Sequence, residues 1–471
     1  MSQSQPRHAA PNPKHNIKAI RTVRFWAAPI VATLALMSAL AALYLGGILN
    51  PTTNLRHFPI AVVNEDAGPW GAKIVEGMTA SPELDKNKFD IRVVSHDEAQ
   101  RQLDTAQVYG EMVIPPSFSS RLQDLGESSV MPTRAERPSI AIFTNQRAGT
   151  LGSSIAGQTL NLAAAKVNAQ VGKQLSESVA AQTADTPVAG AAALTLASPI
   201  DIKTTVYKPL PNGTGNGLSA FYYSLLLLLA GFTGSIVVST LVDSMLGYVP
   251  AEYGPVYRFA EQVRISRFQT LLVKWALMVT LALITSALYM AIGHGLGMPI
   301  DHAWHLWLFG VFAISAVGIT SSSLIAVLGS MGMLFSMLVF VILGLPSAGA
   351  TVPLEAVPPF FGWLAKFEPM HQVFLGVRSL VYLDGHADAG LSQALLMTSI
   401  GLVIGLLVGG IITHLYDRKG FHRIQGAIEM AIAVEHQAQH QREKARQPQP
   451  EPELDPEPDP EREAESSSEQ T

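Results

Sequence analysis

From position 306 to position 354 the chain runs for 49 residues without one Asp, Glu, Lys or Arg. Nothing else in it constrains the fold so strongly. A soluble domain carries roughly a quarter of its residues as charges, whereas here the charged share is 15 % and 48 % of residues are hydrophobic. A bilayer core about 30 Å thick needs about 20 apolar residues per helical crossing. The long run therefore fits two crossings, at 305–328 and 331–346, with a turn near Gly329-Ser330. Apolar runs at 25–49, 219–242, 271–295 and 393–416 bring the expected total to six. The expected fold class is a polytopic α-helical membrane protein. Its six transmembrane helices carry an α/β extracytoplasmic domain, 50–217, between the first and the second.

Basic residues in short flanks stay on the cytoplasmic side. Arg7, Lys14, Lys18, Arg21 and Arg24 precede the first run; Arg258, Arg264 and Arg267 follow the second; Arg418, Lys419 and Arg423 follow the sixth. The opposite short loops offer only Lys366 and Arg378, so both termini are expected in the cytoplasm. The first run exceeds the 7–15 residues of a secretory signal core and is read as an anchor.

Within 50–217, short apolar strands at 58–63, 89–94, 109–114 and 139–144 alternate with helical stretches at 71–79 and 117–125. Turn-forming Asn64-Glu65-Asp66-Ala67-Gly68 ends the first strand. Ser95 with Glu98 three residues on reads as a capping box. Such alternation favours an α/β layer over an immunoglobulin-type sandwich. From 150 to 183, Leu151, Ile155, Leu162, Val167, Val171, Leu175 and Val179 recur near helical spacing. That predicts one long helix packed on its own domain, with a stalk or dimer helix as the other reading. Pro187 to Ser198 reads as an Ala/Thr linker.

Catalytic signatures are missing. The chain has no cysteine, no GxxxxGK[ST], no H-E-x-x-H, no GxSxG and no SxxK. Gly213-x-Gly215-x-Gly217 precedes an apolar run rather than linking a strand to a helix, so it does not read as a phosphate cradle. His294, Asp301, His302 and His305 gather around one loop, but without tight spacing they read as interfacial residues rather than a metal site. No enzyme activity, cofactor or metal is expected. The formal net charge is −5, yet 448–471 alone carries −8. The remainder is only weakly positive, and nucleic acid is not an expected partner.

The membrane part says more. Gly401, Gly405 and Gly409 fall on one helix face, a ridge that admits close helix packing. Ionisable residues stay near the expected span ends (Asp243, Lys274, His414), which disfavours a proton-driven carrier. The loop 247–268 places Tyr257, Ala260, Val263 and Ile265 roughly on one side, with Arg258, Glu261, Arg264 and Arg267 on others. It is expected to form a short amphipathic helix, either lying on the membrane surface or docking on a partner. The outer segment 353–384 is unusually apolar, holding Phe360, Phe361 and Trp363, and prolines break it; a re-entrant pair of half-helices is expected. Arg378 there either pairs with Glu368 or Asp384 or meets an anionic headgroup.

Two stretches carry a resemblance. PIAVVNEDAG (59–68) with EAQRQLDTAQVYGEMVIPPSFSSRL (98–122) resembles the extracellular start of the phage-infection-protein (YhgE/Pip-like) family. That family belongs with type-2 ABC transporter permeases. LPSAGATVPLEAVPPFFGWLAKFEPMHQVFLGVRSLVYLDG (345–385) resembles the segment such proteins carry between their fifth and sixth spans. The resemblance extends over most of 17–416. It implies a coupling helix over 252–264, with Glu252, Tyr257, Arg258, Glu261 and Arg264 contacting a separate ATP-hydrolysing subunit. It also implies a re-entrant segment over 360–382.

The expected function is that of a permease subunit of an ABC-type exporter in the bacterial inner membrane. It would move an amphipathic or lipid-like compound, paired as a homodimer or with a second permease. The alternative is a non-transporting surface receptor, or an accessory scaffold of a secretion machine. A cytoplasmic helix is expected over 417–447, and the Pro- and Glu-rich stretch 448–471 is too polar to bury a core.

Overall fold

The computed structural model describes residues 23–81, 84–129, 135–182, 190–249, 251–253, 256–258, 260–261 and 263–421. The basic segment before residue 23, all of the expected helix 417–447 beyond Phe421, and the acidic stretch 448–471 lie outside them.

Helix α1 (Val23–Ile48) leads into a five-stranded sheet. The seven residues of β1 (Phe58–Asn64) are apolar on both faces until Asn64, as a central strand demands. It pairs in parallel with β2 (Phe89–Val93) on one side and β3 (Gly110–Ile114) on the other. Helices α2 (Pro69–Thr79) and α3 (His96–Asp104) make the two crossovers. Ser95 caps α3 by accepting from the Glu98 amide, while the Glu98 carboxylate turns to Arg101 and Gln102 instead of closing the box. After α4 (Phe118–Ser128), β4 (Ser139–Thr144) pairs antiparallel to β3.

Helix α5 (Thr150–Gln182) has 33 residues, about 50 Å at 1.5 Å each. It lies on its own domain: Ile155, Leu160, Val167, Val171 and Leu175 join Ile60, Met112, Ile114 and Ile140 in one core. The opposite sheet face packs α3 through Ala99 and Leu103 against Ala61, Val63 and Val113.

The expected linker is a correction. Residues Gly190–Ala197 form helix α6, because Ala and Leu are strong helix formers. Asp201–Val206 forms β5, parallel to β4. Buried Asn168 of α5 locks the approach to β5, donating to the Ser198 hydroxyl and the Ile200 carbonyl and accepting from the Ile200 amide at 2.8 Å.

Among the described residues, five helical stretches are long and apolar enough to cross a membrane. They are α7 (Ser219–Met245), α8 (Arg267–Gly295), α9 (Ala303–Leu328), the run Ser330–Ser347, and α14 (Leu391–Arg418). In α1 the apolar stretch is shorter, Thr33–Ile48. Gly329 takes φ +63°, a left-handed turn that reverses the chain between α9 and α10 (Ser330–Met337) where the sequence places it. The Ser330–Ser347 run is not uniform: a π turn, Leu338–Ile342, separates α10 from α11 (Gly344–Ser347).

Helix α9 is the most enclosed of the five and α14 the least. Serines fasten α9 to its neighbours, with Ser235 of α7 donating to Ser321 at 2.8 Å and Trp275 of α8 donating to Ser323 at 3.2 Å. The glycine ridge of α14 meets the same helix. A Cβ at Gly405 would overlap Thr320, and one at Gly409 would overlap Ser323. Gly401 has open space instead, and its carbonyl accepts from the Thr320 hydroxyl at 3.3 Å. Gly405→Val is therefore expected to lever α14 off α9, at about 1–3 kcal/mol for an overpacked site. Gly401→Val should be close to neutral. Thermal unfolding of both variants in one detergent measures the difference.

The segment 353–384 forms two short helices, α12 (Pro359–Leu364) and α13 (Pro369–Tyr382), each with proline at its first turn. Nearly every residue of α13 is buried in protein, the condition under which broken helices are tolerated at membrane depth.

The chain divides into two units, residues 243–266 with 416–471 forming the second. In that unit Ala251–Tyr253 (β6) pairs antiparallel with Val256–Arg258 (β7), and the Tyr248 hydroxyl donates to the Val263 and Ile265 carbonyls. Among the described residues of the expected coupling helix over 252–264 there is thus an antiparallel strand pair and then non-helical chain. The reason is legible in retrospect: Pro250 and Pro255 stand five residues apart, Gly254-Pro255 is a turn pair, and the flanks are Tyr and Val.

Candidate functional site

The residues with unusual chemistry gather where the sheet domain meets α13. The loop after β4 and the end of α13 clasp each other: Arg147 donates to the Tyr382 carbonyl at 2.9 Å, and Arg378 donates to the Ala148 carbonyl at 3.2 Å. The Tyr382 hydroxyl reaches back to Ser219 at 2.8 Å and to the Ala220 amide at the start of α7. Beside Arg378, the Tyr109 hydroxyl donates to Glu355 at 3.1 Å, and the Arg56 guanidinium donates to the Val357 carbonyl. Burial first, then the adjacent Glu355 carboxylate, pushes the Tyr109 phenol well above its ordinary value, so it stays a donor. The Arg378 guanidinium lies 5.5 Å from the Phe374 ring centroid, and its Nε is enclosed without a hydrogen-bond partner among the described residues.

Arg378 pairs with neither of its expected acids. Glu368 caps the other end of α13 by accepting from the His371 amide at 3.0 Å, ten residues and about 15 Å away along the helix. Asp384 sits in the turn beyond Tyr382 at φ +53°. The sequence did not single out Glu355, Tyr109 and Arg147. They are far from Arg378 along the chain, and only the tertiary fold joins them.

Of the expected re-entrant residues, Phe361 is buried against Gly47 of α1. Phe360 and Trp363 are more than half exposed, and with Phe367 they make an outward aromatic stripe, ring centroids 6.3 and 4.7 Å apart. In the hairpin, Glu252 stands opposite Tyr257 and Arg258 opposite Ala251; Glu261 and Arg264 follow on exposed, non-helical chain. Lys274 lies seven residues into α8 and is only 1 % exposed.

A small cavity of about 190 Å³ opens between α9, the π turn, α13 and α14, with Val317, Phe340, Val373 and Leu402 on its walls and Gln372 among them. Gln372 is held by the Ala365 carbonyl at 2.7 Å and accepts from Gln393. Among the described residues no cluster of three His, Asp or Glu could hold a metal ion.

The family described as a protein of unknown function, DUF3533, matches residues 30–405, from inside α1 to inside α14. The chain belongs to the DUF3533 family. No curated protein and no solved structure matches it.

Two carboxylates in the sheet domain of this DUF3533 chain complete the inventory. Asp66, just past β1, accepts from the Ser119 amide at 3.0 Å, the Ser119 hydroxyl at 2.6 Å and the Gly71 amide at 2.9 Å. Burial raises its pKa, but these hydrogen bonds outweigh burial and hold the carboxyl below its ordinary value. One side chain thereby serves the first turns of both α2 and α4. Asp66→Ala is expected to cost about 2 kcal/mol, the upper range for a lost cap, and to raise hydrogen exchange in both helices together. Glu111 of β3 is fully buried with neither oxygen hydrogen-bonded among the described residues, and burial lifts its pKa to about 7.

Proposed function

We propose that this protein is the membrane permease subunit of an ABC-type exporter of the phage-infection-protein class. It would move an amphipathic or lipid-like compound with energy from a separate ATPase. In this reading α1 is a sixth crossing, both termini are cytoplasmic, and the sheet domain stands outside a bacterial inner membrane. The observation that carries it is the buried helix α13. It lies within an apolar helical body, borders the 190 Å³ cavity at one end, and is clasped to the outer domain at the other. A cavity with apolar walls and one carboxamide suits a compound with a hydrocarbon part and a polar group.

Aromatic side chains support the orientation. Trp304 and Trp307 at the start of α9, and Phe360, Trp363 and Phe367 after the fifth apolar run, belong to one end of antiparallel helices, where aromatic side chains favour the headgroup level. The hairpin of β6 and β7, with Glu252, Tyr257, Arg258, Glu261 and Arg264, joins α7 to α8 at the other end and is the proposed ATPase contact. Exposed apolar faces on α8 and α14 leave room for a second permease.

Purification in mild detergent from the native cell tests the proposal. A nucleotide-binding subunit should co-purify, and Arg258→Glu combined with Arg264→Glu should release it. No such subunit, or one retained by the double variant, would count against transport. Function retained by α1 and the outer domain alone would favour the receptor or scaffold reading.

A further inference from the structure

Near the last turn of α1, Gly47 packs on Pro346 and Phe361. Beside that contact a cavity of about 250 Å³ opens, walled by Tyr44 and Ile48 of α1, Phe221 of α7, Leu345 and Pro346 of α11, and Val357. Ile48 is the last residue of α1 and Phe221 the third of α7. The cavity therefore lies at the ends of both helices that carry the sheet domain. Ile48 and the wall residue Thr351 are exposed, so it opens to the surroundings. For apolar helices in a bilayer, that level is the boundary between hydrocarbon and headgroups. The volume falls short of a drug-sized site and suits a stretch of hydrocarbon chain.

Three polar side chains set its character. The hydroxyls of Tyr44 and Thr351 belong to wall residues and make no internal hydrogen bond among the described residues. Beside the wall stands Arg56, in the segment between α1 and β1. Its amide donates to the Glu355 carbonyl at 2.9 Å, and its guanidinium donates through Nη2 to the carbonyl of the wall residue Val357. Two bonds thus fix the cation in place. Its Nε and Nη1 have neither a hydrogen bond nor an ion pair among the described residues. The Glu355 carboxylate is engaged by the Tyr109 hydroxyl at 3.1 Å, and no wall residue is acidic. A headgroup ammonium would find no counter-charge here, whereas a phosphate meets a planar guanidinium with donors to spare. Apolar walls beside one fixed cation match a hydrocarbon chain joined to a phosphate.

We propose that this cavity holds one acyl chain of an anionic phospholipid whose phosphate pairs with Arg56. The inference shares with the proposed function only the placement of α1 and α7 in a bilayer. It does not need transport: a chain that retains no nucleotide-binding subunit would still hold the lipid. Native mass spectrometry of the full chain in mild detergent tests it, with dioleoylphosphatidylglycerol, dioleoylphosphatidylcholine or inorganic phosphate added. One phosphatidylglycerol per chain is expected to bind about tenfold or more tightly than phosphatidylcholine, without competition from phosphate. Arg56→Gln should remove that preference, and Arg56→Lys should keep part of it. Thr351→Trp, which fills the cavity from an exposed wall position, should lose the lipid with an unchanged melting temperature in lipid-free detergent. Equal retention of the two lipids, a preference that survives Arg56→Gln, a lipid retained by Thr351→Trp, or displacement by free phosphate would overturn it.

Discussion

Glu111→Gln is expected to stabilise the sheet domain at pH 8 and to leave it almost unchanged at pH 5. Glu111 lies on the α3 face of the sheet, between Ala61 of β1 and Phe143 of β4 in register. Burial is the main reason its pKa stands at about 7 instead of 4.5, with Glu65 adding to the rise and His96 opposing it. The native state therefore holds a proton that the unfolded chain releases. Stability contributed by the neutral acid is complete below pH 4.5, falls as pH rises, and is lost once pH passes about 7. The full difference is about 3 kcal/mol at 1.36 kcal/mol per unit. Hydrogen exchange of β1, β3 and α3 in the intact protein, followed from pH 5 to pH 8, should show protection declining in the wild type. In Glu111→Gln it should stay level. A wild-type profile that is already level would remove the buried carboxyl from the account.

Replacing both clasp arginines should have an effect of similar size. Arg147→Leu and Arg378→Leu each delete a charged donor from a carbonyl that has no other partner among the described residues, at about 1.5–3 kcal/mol. Removing Arg378 also leaves Glu355 without its nearby cation. The two bonds cross the same joint in opposite directions, so once one is gone the other holds a loosened contact. The double variant should accordingly cost less than the sum of the singles. Limited proteolysis of the segments 145–149 and 353–357 with a protease of broad specificity reads the joint directly, and strictly additive losses would mean that the two bonds act separately.

How far the sequence anticipates these features depends on whether the signal is local. β1, β3 and β4 are short apolar runs bounded by turn residues, and α5 repeats its apolar positions over 33 residues. The apolar helices announce themselves by lacking charge, as does the Gly329 turn by its glycine. β5 does not, because its Lys203, Thr204 and Thr205 are exposed and its place is set by pairing with β4. The hairpin at 251–258 was obscured by an apparent helical spacing of Tyr and Arg, although its prolines argued the other way. The joint around Arg378 was legible only as one lone basic residue. Its partners Tyr109, Arg147 and Glu355 come from three distant stretches, and no spacing rule connects them. Asp66 reads locally as a turn residue, and its service to α4 depends on the parallel pairing of β1 with β3.

The π turn at Leu338–Ile342 fits one residue more into a turn than an α-helix does. At 3.6 residues per turn, that extra residue rotates everything on one side of it by about 100° relative to the other. Sliding the bulge one position along the fifth apolar run would therefore swivel a set of side chains like a gear tooth, without unwinding the rod that carries them. Val339 and Phe340 belong to that set and also wall the 190 Å³ cavity, so such a swivel would reshape the chamber while both ends of the run stay where they are.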